Sequence, residues 1–179
     1  MPSTPDLTVV PVPSEAELDR LAARLAATLP VPATIALHGD LGAGKTRFVK
    51  GIARAVGLDP DRVVSPTFGI VHPHEIPLGC RAVRLVHADL HRLAGPGDLH
   101  EIGWDELTAG AAWTCVEWAD RAGPWLPDDR LEITIEIVSA DTRRLHVRAT
   151  GPLHQAAQRA LAAPATFSAA ARRPGANAG

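Results

Sequence analysis

Gly39-Asp40-Leu41-Gly42-Ala43-Gly44-Lys45-Thr46 fits the pattern G-x-x-x-x-G-K-[ST] at every fixed position. Its glycines let the backbone curl so that successive N–H groups face inward as an anion nest. A helix beginning near Lys45 places the positive end of its dipole at the same point. Lys45 reaches for β- and γ-phosphates as a point charge, and the Thr46 hydroxyl is a ligand type for Mg²⁺. The bland alternative is a strand–turn–helix whose glycines merely permit the turn. With average residue usage, the fixed positions would coincide in fewer than about 1% of chains this long, so the phosphate loop is the better reading.

The flanks supply the strand and helix that such a loop needs. Residues 34–38 are a short apolar run that reads as a buried strand. Residues 46–56 carry Phe48, Val49, Ile52 and Val56 at helical spacing, and Gly57 is a stop signal. Upstream, residues 7–12 suggest an edge strand. Ser14 and Glu17 form a capping box for a helix whose apolar face is Leu18, Leu21, Leu25 and Leu29, ending before Pro30. Downstream, residues 68–74 and 82–88 read as strands joined too closely for a parallel crossover, so they pair antiparallel. A short helix is expected over 98–107 and a buried strand over 111–116. Leu131, Ile133, Ile135 and Ile137 alternate with polar residues in a further strand, which pairs with 145–149 across an Asp141-Thr142 turn. The fold class is therefore α/β: a single P-loop NTPase-like domain with a mixed parallel and antiparallel central sheet flanked by helices.

Composition narrows the function. The chain has 179 residues, 46% hydrophobic and 21% charged, which suits one soluble domain. Residues 1–151 read as the P-loop domain, whose loop alone does not say whether ATP is hydrolysed, transferred or merely bound. Residues 152–179 read as a helix over 154–163 followed by a disordered, dispensable tail without Asp or Glu. Two cysteines exclude a disulfide scaffold, and the absence of a long apolar run or leader pattern points to the cytoplasm and away from membranes. A net charge of −2 excludes a generally basic nucleic-acid binder. Aromatics at 4%, with no tyrosine, argue against base-stacking platforms. The lysines are Lys45 and Lys50 alone, which singles out Lys45; beside an empty phosphate nest it is expected to be exposed.

A bound Mg²⁺ needs carboxylate help, and Asp89 and Glu117 each follow an apolar strand-like run. Either suits holding the ion or orienting the attacking water, with a helix cap or surface carboxylate as the bland reading. Thr67, in Ser65-Pro66-Thr67, reads as a loop residue, with a γ-phosphate contact as a switch residue for the functional reading and a turn signal for the bland one. The eight histidines invite a metal reading at His72, His74, His87 and His91, but no recognised zinc spacing accompanies them, so solvated strand and loop histidines are expected. Trp104, Trp113, Trp118 and Trp125 read as core or rim anchors, with Trp118 notable beside Glu117.

Taken in order, these segments resemble the TsaE (YjeE) family, the bacterial P-loop ATPase of tRNA threonylcarbamoyladenosine synthesis. The loop from Gly39 to Thr46 is similar to that family's phosphate loop, including its Asp-Leu pair. Ser65-Pro66-Thr67-Phe68 is similar to its switch segment, His87-Ala88-Asp89-Leu90-His91-Arg92-Leu93 to its His-aromatic-Asp-Leu-Tyr-Arg-Leu segment, and Glu117-Trp118 to its Glu-Trp pair. The likeness runs from about residue 7 to 149. It implies that Thr46 and Glu117 are the Mg²⁺ ligands. It also implies that Leu41, Gly42, Ala43, Gly44, Lys45, Thr46 and Arg47 wrap the phosphates of ATP, with Trp118 beside the nucleotide. Lys45, Thr67, Asp89 and Glu117 become the hydrolytic set, and Glu15 lies near the adenosine. The implied partners are TsaD and TsaB, with tRNA met only through that complex. The sequence departs from the family pattern at Ala88, His91 and Gly69, and in the thinned acidic start Gly95-Pro96-Gly97-Asp98.

Two other readings compete. A small-molecule P-loop kinase would need an arginine-rich lid, for which Arg121, Arg130, Arg143 and Arg144 are candidates without a compact lid segment. A nucleotide-dependent scaffold would leave Asp89 and Glu117 structural.

Overall fold

The computed structural model describes residues 7–64, 70–79 and 81–163. Thr67 with the rest of 65–69, and the tail from 164 onward, lie outside the described residues. The elements are β1 (Thr8–Val12), α1 (Glu15–Ala26), β2 (Ala33–His38), α2 (Lys45–Ala55), β3 (Val71–Leu78), β4 (Arg81–Asp89), α3 (Pro96–Glu101), α4 (Trp104–Thr108), β5 (Trp113–Glu117), β6 (Leu131–Ile137), β7 (Arg143–Ala149) and α5 (Gln155–Ala162). Among the described residues seven strands form one sheet in the order β1-β7-β6-β2-β5-β4-β3. Its centre, β6-β2-β5-β4, is parallel. The hairpins β3–β4 and β6–β7 and the edge pairing of β1 with β7 are antiparallel. This is the mixed sheet the strand spacing predicts.

The period-2 alternation of strands sorts side chains into two cores. On one face Ile35, Leu37, Trp113, Cys115, Leu131 and Ile133 meet Leu18, Leu21 and Leu25 of α1, Phe48, Val49 and Ile52 of α2, and Ala157 and Leu161 of α5. On the other, Ala36, Ala88 and Val116 meet Leu90, Leu93, Leu99 and Trp104. Every residue of β5 is buried, as expected of a central strand covered on both sides. Cys115 lies there, and burial, reinforced by Glu117, pushes its thiol up to about 12, so it is inert at neutral pH.

Local differences from the sequence expectations have visible causes. Ser14 accepts from the Glu17 N–H at 3.2 Å, as the capping box predicts, and α1 ends before Pro30, at Ala26, so Leu29 of the expected apolar face lies beyond the helix. The helix expected over 98–107 is split in two, because Gly103 adopts φ +71°, ends one helix and opens the next. The histidines are not all solvated: His87 and His154 are essentially fully buried and His74 nearly so. His154 is held between Asp129 Oδ1, at 2.8 Å from Nδ1, and the Thr34 N–H, at 3.3 Å from Nε2, so it ties the segment before α5 to β2.

Candidate active site at the carboxyl ends of the parallel strands

β2, β4 and β5 end together, and a cleft of about 600 Å³ opens there. This is the edge at which open α/β sheets bind ligands. Leu41, Gly42, Gly44, Lys45, Thr46 and Arg47 line it from the loop and α2. Asp89, His91, Arg92, Glu117 and Trp118 line it from the ends of β4 and β5.

The loop leaves β2 at Gly39, whose φ of +129° and close approach to Ile135 exclude a side chain. A Cβ there would lie 2.4 Å from the Ile135 carbonyl oxygen. Arg143, the first residue of β7, braces the loop from behind by donating Nε–H to the Ala43 carbonyl at 3.2 Å. Ala43 itself is buried, whereas Leu41 projects into solvent at the rim, 77% exposed. Gly44 caps α2 in the left-handed region, with φ +111°.

Lys45 is buried, contrary to the expectation that it stands exposed. Its Nζ donates to the Gly39 carbonyl at 2.6 Å and the Asp40 carbonyl at 2.9 Å, and lies 4.1 Å from the centre of the Trp118 ring. Trp118 can take this position because it turns out of β5 with φ +56°, a left-handed conformation unusual for a bulky residue. Burial lowers the Lys45 ammonium below its ordinary range, opposed by the charges of Glu117, Asp89, Asp40 and Asp120.

Glu117 and Asp89 are register partners across β5 and β4. Glu117 is buried and uses both oxygens: Oε2 accepts from the Thr46 hydroxyl at 3.0 Å, and Oε1 lies 2.8 Å from His87 Nε2. Asp89 Oδ1 accepts from the His91 N–H at 3.0 Å. The Thr46–Glu117 pair fits a hard cation. Two oxygens on adjacent octahedral positions about 2.1 Å from Mg²⁺ are about 3.0 Å apart, and Mg²⁺ takes few protein ligands beside phosphate and water.

Arg47 and Glu15 form a separate cluster. Arg47 Nε and Nη2 grip Asp19 of α1 at 3.0 and 2.7 Å, and Nη1 meets Glu15 at 2.6 Å. The hydrogen bond to Asp19 holds the guanidinium above its ordinary range. This pair borders a small hollow behind the loop with Ser14, Asp141 and Arg143. The structure thus brings Lys45, Thr46, Asp89, Glu117 and Trp118 to one cleft and leaves Glu15 on the loop's other side. His87 and Arg143 are absent from the sequence-derived set. For His87 the available signal was its place two residues before Asp89, which puts both on one face of β4.

The strand–loop–helix unit, the parallel centre of the sheet and the cleft at its carboxyl edge define a P-loop α/β protein. The family described as "Threonylcarbamoyl adenosine biosynthesis protein TsaE" matches residues 12–145, and the chain belongs to that family. A TsaE protein of Bacillus subtilis is 36% identical over 131 residues, covering 72% of this chain and 78% of the relative. One from Aquifex aeolicus is 35% identical over 136 residues, with 75% and 90% covered. Both carry the name tRNA threonylcarbamoyladenosine biosynthesis protein TsaE. The crystal structure of Bacillus subtilis YdiB superposes with a TM-score of 0.68 at 27% identity, over 88% of this chain and 95% of that one.

Proposed function

We propose that the chain is a Mg²⁺-dependent ATPase that supports a TsaB–TsaD complex in moving threonylcarbamoyl onto adenosine 37 of tRNA. The observation that carries the ATPase reading is the pairing of the half-buried Thr46 hydroxyl with the buried Glu117 carboxylate, 3.0 Å apart, in the cleft that Lys45 borders. Backbone N–H groups from Leu41 to Thr46 hold the phosphates of ATP. Lys45 exchanges its Gly39 and Asp40 carbonyl partners for phosphate oxygens, which replaces neutral acceptors by charged ones. Thr46 and Glu117 would hold Mg²⁺, which would supply positive charge to neutralise that developing on the phosphates. Asp89 accepts a hydrogen bond from water and directs its oxygen at the γ-phosphorus; as that O–P bond forms, the bond from the γ-phosphorus to the bridging oxygen breaks, the water protons pass to inorganic phosphate and solvent, and ADP keeps the bridging oxygen. Trp118 walls the nucleotide, Thr67 meets the γ-phosphate, and Glu15 lies toward the adenosine. With a net charge of −2, the chain reaches tRNA through the complex and works in the cytoplasm.

The four arginines available for a kinase lid have other work. Arg143 braces the loop, Arg121 donates to the Leu93 carbonyl, and Arg130 and Arg144 pair with Glu132 and Glu136. The experiment is phosphate release from Mg-ATP with and without TsaB and TsaD, with Lys45→Ala as control. Release that depends on both partners and is lost in the variant is expected. ADP formation that instead requires a small-metabolite acceptor overturns the ATPase reading in favour of a kinase.

A further inference from the structure

We infer that His87 is a positioning residue for the metal site: its buried Nε2–H fixes the Glu117 carboxylate so that Oε2 faces Thr46. This inference rests on the Mg²⁺ reading of Thr46 and Glu117. His87 lies on β4, with Cys115 as its register partner on β5, and so stands beside the Glu117 side chain one strand over. It is completely buried, and Glu117 is 3% exposed. Nε2 sits 2.8 Å from Oε1 while the Thr46 hydroxyl is 3.0 Å from Oε2, so the carboxylate is held at both oxygens by residues from two different elements. The carboxylate accepts, so Nε2 carries the proton. The other ring nitrogen, Nδ1, is buried with no hydrogen-bond partner among the described residues, as suits a ring with its proton on Nε2.

A carboxylate free to rotate presents either oxygen, or neither, to an ion. One pinned through its far oxygen presents the near one at a fixed angle. Outer partners of metal ligands act in this way, and their loss typically costs about 10–100-fold in metal affinity or activity. A histidine that served the core alone would be replaceable by an apolar side chain of similar volume with no effect on the ion.

The test is calorimetric titration of ADP at a series of Mg²⁺ concentrations and with the metal chelated, on wild type, His87→Leu and His87→Gln. Glutamine places an amide N–H near the position of Nε2, whereas leucine removes the donor. His87→Phe replaces the leucine variant should that one fail to fold by thermal melt. The apolar variant should need about 10-fold more Mg²⁺ to tighten ADP binding. Its affinity without metal should match wild type, and His87→Gln should restore most of the loss. In a Glu117→Gln background the apolar change should shift the Mg²⁺ requirement no further, because His87 acts through that carboxylate. An apolar variant that folds and shows the wild-type Mg²⁺ requirement overturns the inference, as does an equal loss in His87→Gln. Wild-type ADP binding that ignores Mg²⁺ overturns the underlying metal reading instead, and with it the role of His87.

Discussion

Glu117 and Asp89 stand side by side at the ends of β5 and β4, yet their surroundings differ. Glu117 is buried against the Thr46 hydroxyl, whereas Asp89 receives the backbone N–H of His91 at 3.0 Å and faces the open cleft. Glu117→Gln keeps the shape and one acceptor oxygen but removes the negative charge a divalent ion needs. Loss of such a group costs a factor of about 10²–10³ in turnover, or about 3–4 kcal/mol of barrier. Nucleotide binding without metal should survive, since the backbone N–H groups and Lys45 do not depend on that carboxylate. Asp89→Asn retains the acceptor for His91 and should lower activity with a smaller change in Mg²⁺ requirement. Mg²⁺ titrations at saturating ATP on both variants separate the roles. A shift in the Asp89 variant alone would exchange them.

At the scale of elements, the loop is held by the packing of α1 on α2. The two helices approach closely where Gly51 of α2 faces Ala22 of α1, and a Cβ at Gly51 would lie 2.6 Å from the Ala22 Cβ. That approach sets the distance over which Arg47 reaches Asp19 and Glu15, and it brings Leu18 against the Gly44 cap of α2. Gly51→Ala gains about 1 kcal/mol of helix propensity but overpacks a contact between two backbone-fixed methyls, which costs about 1–3 kcal/mol. Neither methyl can rotate away, so overpacking prevails. Differential scanning fluorimetry should show a Tm lower by a few degrees, at about 2–4 °C per kcal/mol for a chain of this size. Adding Ala22→Gly should recover most of that contact. A Tm that rises in Gly51→Ala would mean that the helices yield at no cost.

For the whole molecule, what the sequence discloses is what neighbouring residues decide. The phosphate loop is a local motif, and the β6–β7 hairpin follows from Leu131, Ile133 and Ile135 alternating with charge before a short turn. What it hides depends on register between strands distant in the chain. The His87–Glu117 bond requires β4 beside β5, and the burial of Lys45 requires Trp118 to turn back from the end of β5. No periodicity encodes either. The same long-range packing sets the response to acid. Burial lowers His38, against the pull of Glu132 and Asp120, and burial also lowers His74, with His87, His72 and Arg62 adding to it. Glu132 is lowered as well, because its bonds to Arg148 and Arg130 outweigh a burial effect that raises it. For the two histidines the unfolded chain takes up protons first, so stability falls as pH drops below the ordinary histidine value of 6.5. For Glu132 the stabilisation is complete above its ordinary 4.5 and is lost as pH falls below that value. Both effects have the same sign and act in sequence, so Tm should decline from about pH 7 to about pH 5.5 and then more steeply below about pH 4.5. His74 Nε2 is buried without a hydrogen-bond partner among the described residues, so His74→Gln, which does not titrate, should lessen the first decline, leaving the share of His38, and spare the second. A wild-type Tm that holds level or rises between about pH 7 and about pH 5.5 would contradict the assignment of these histidines as neutral groups in the folded state.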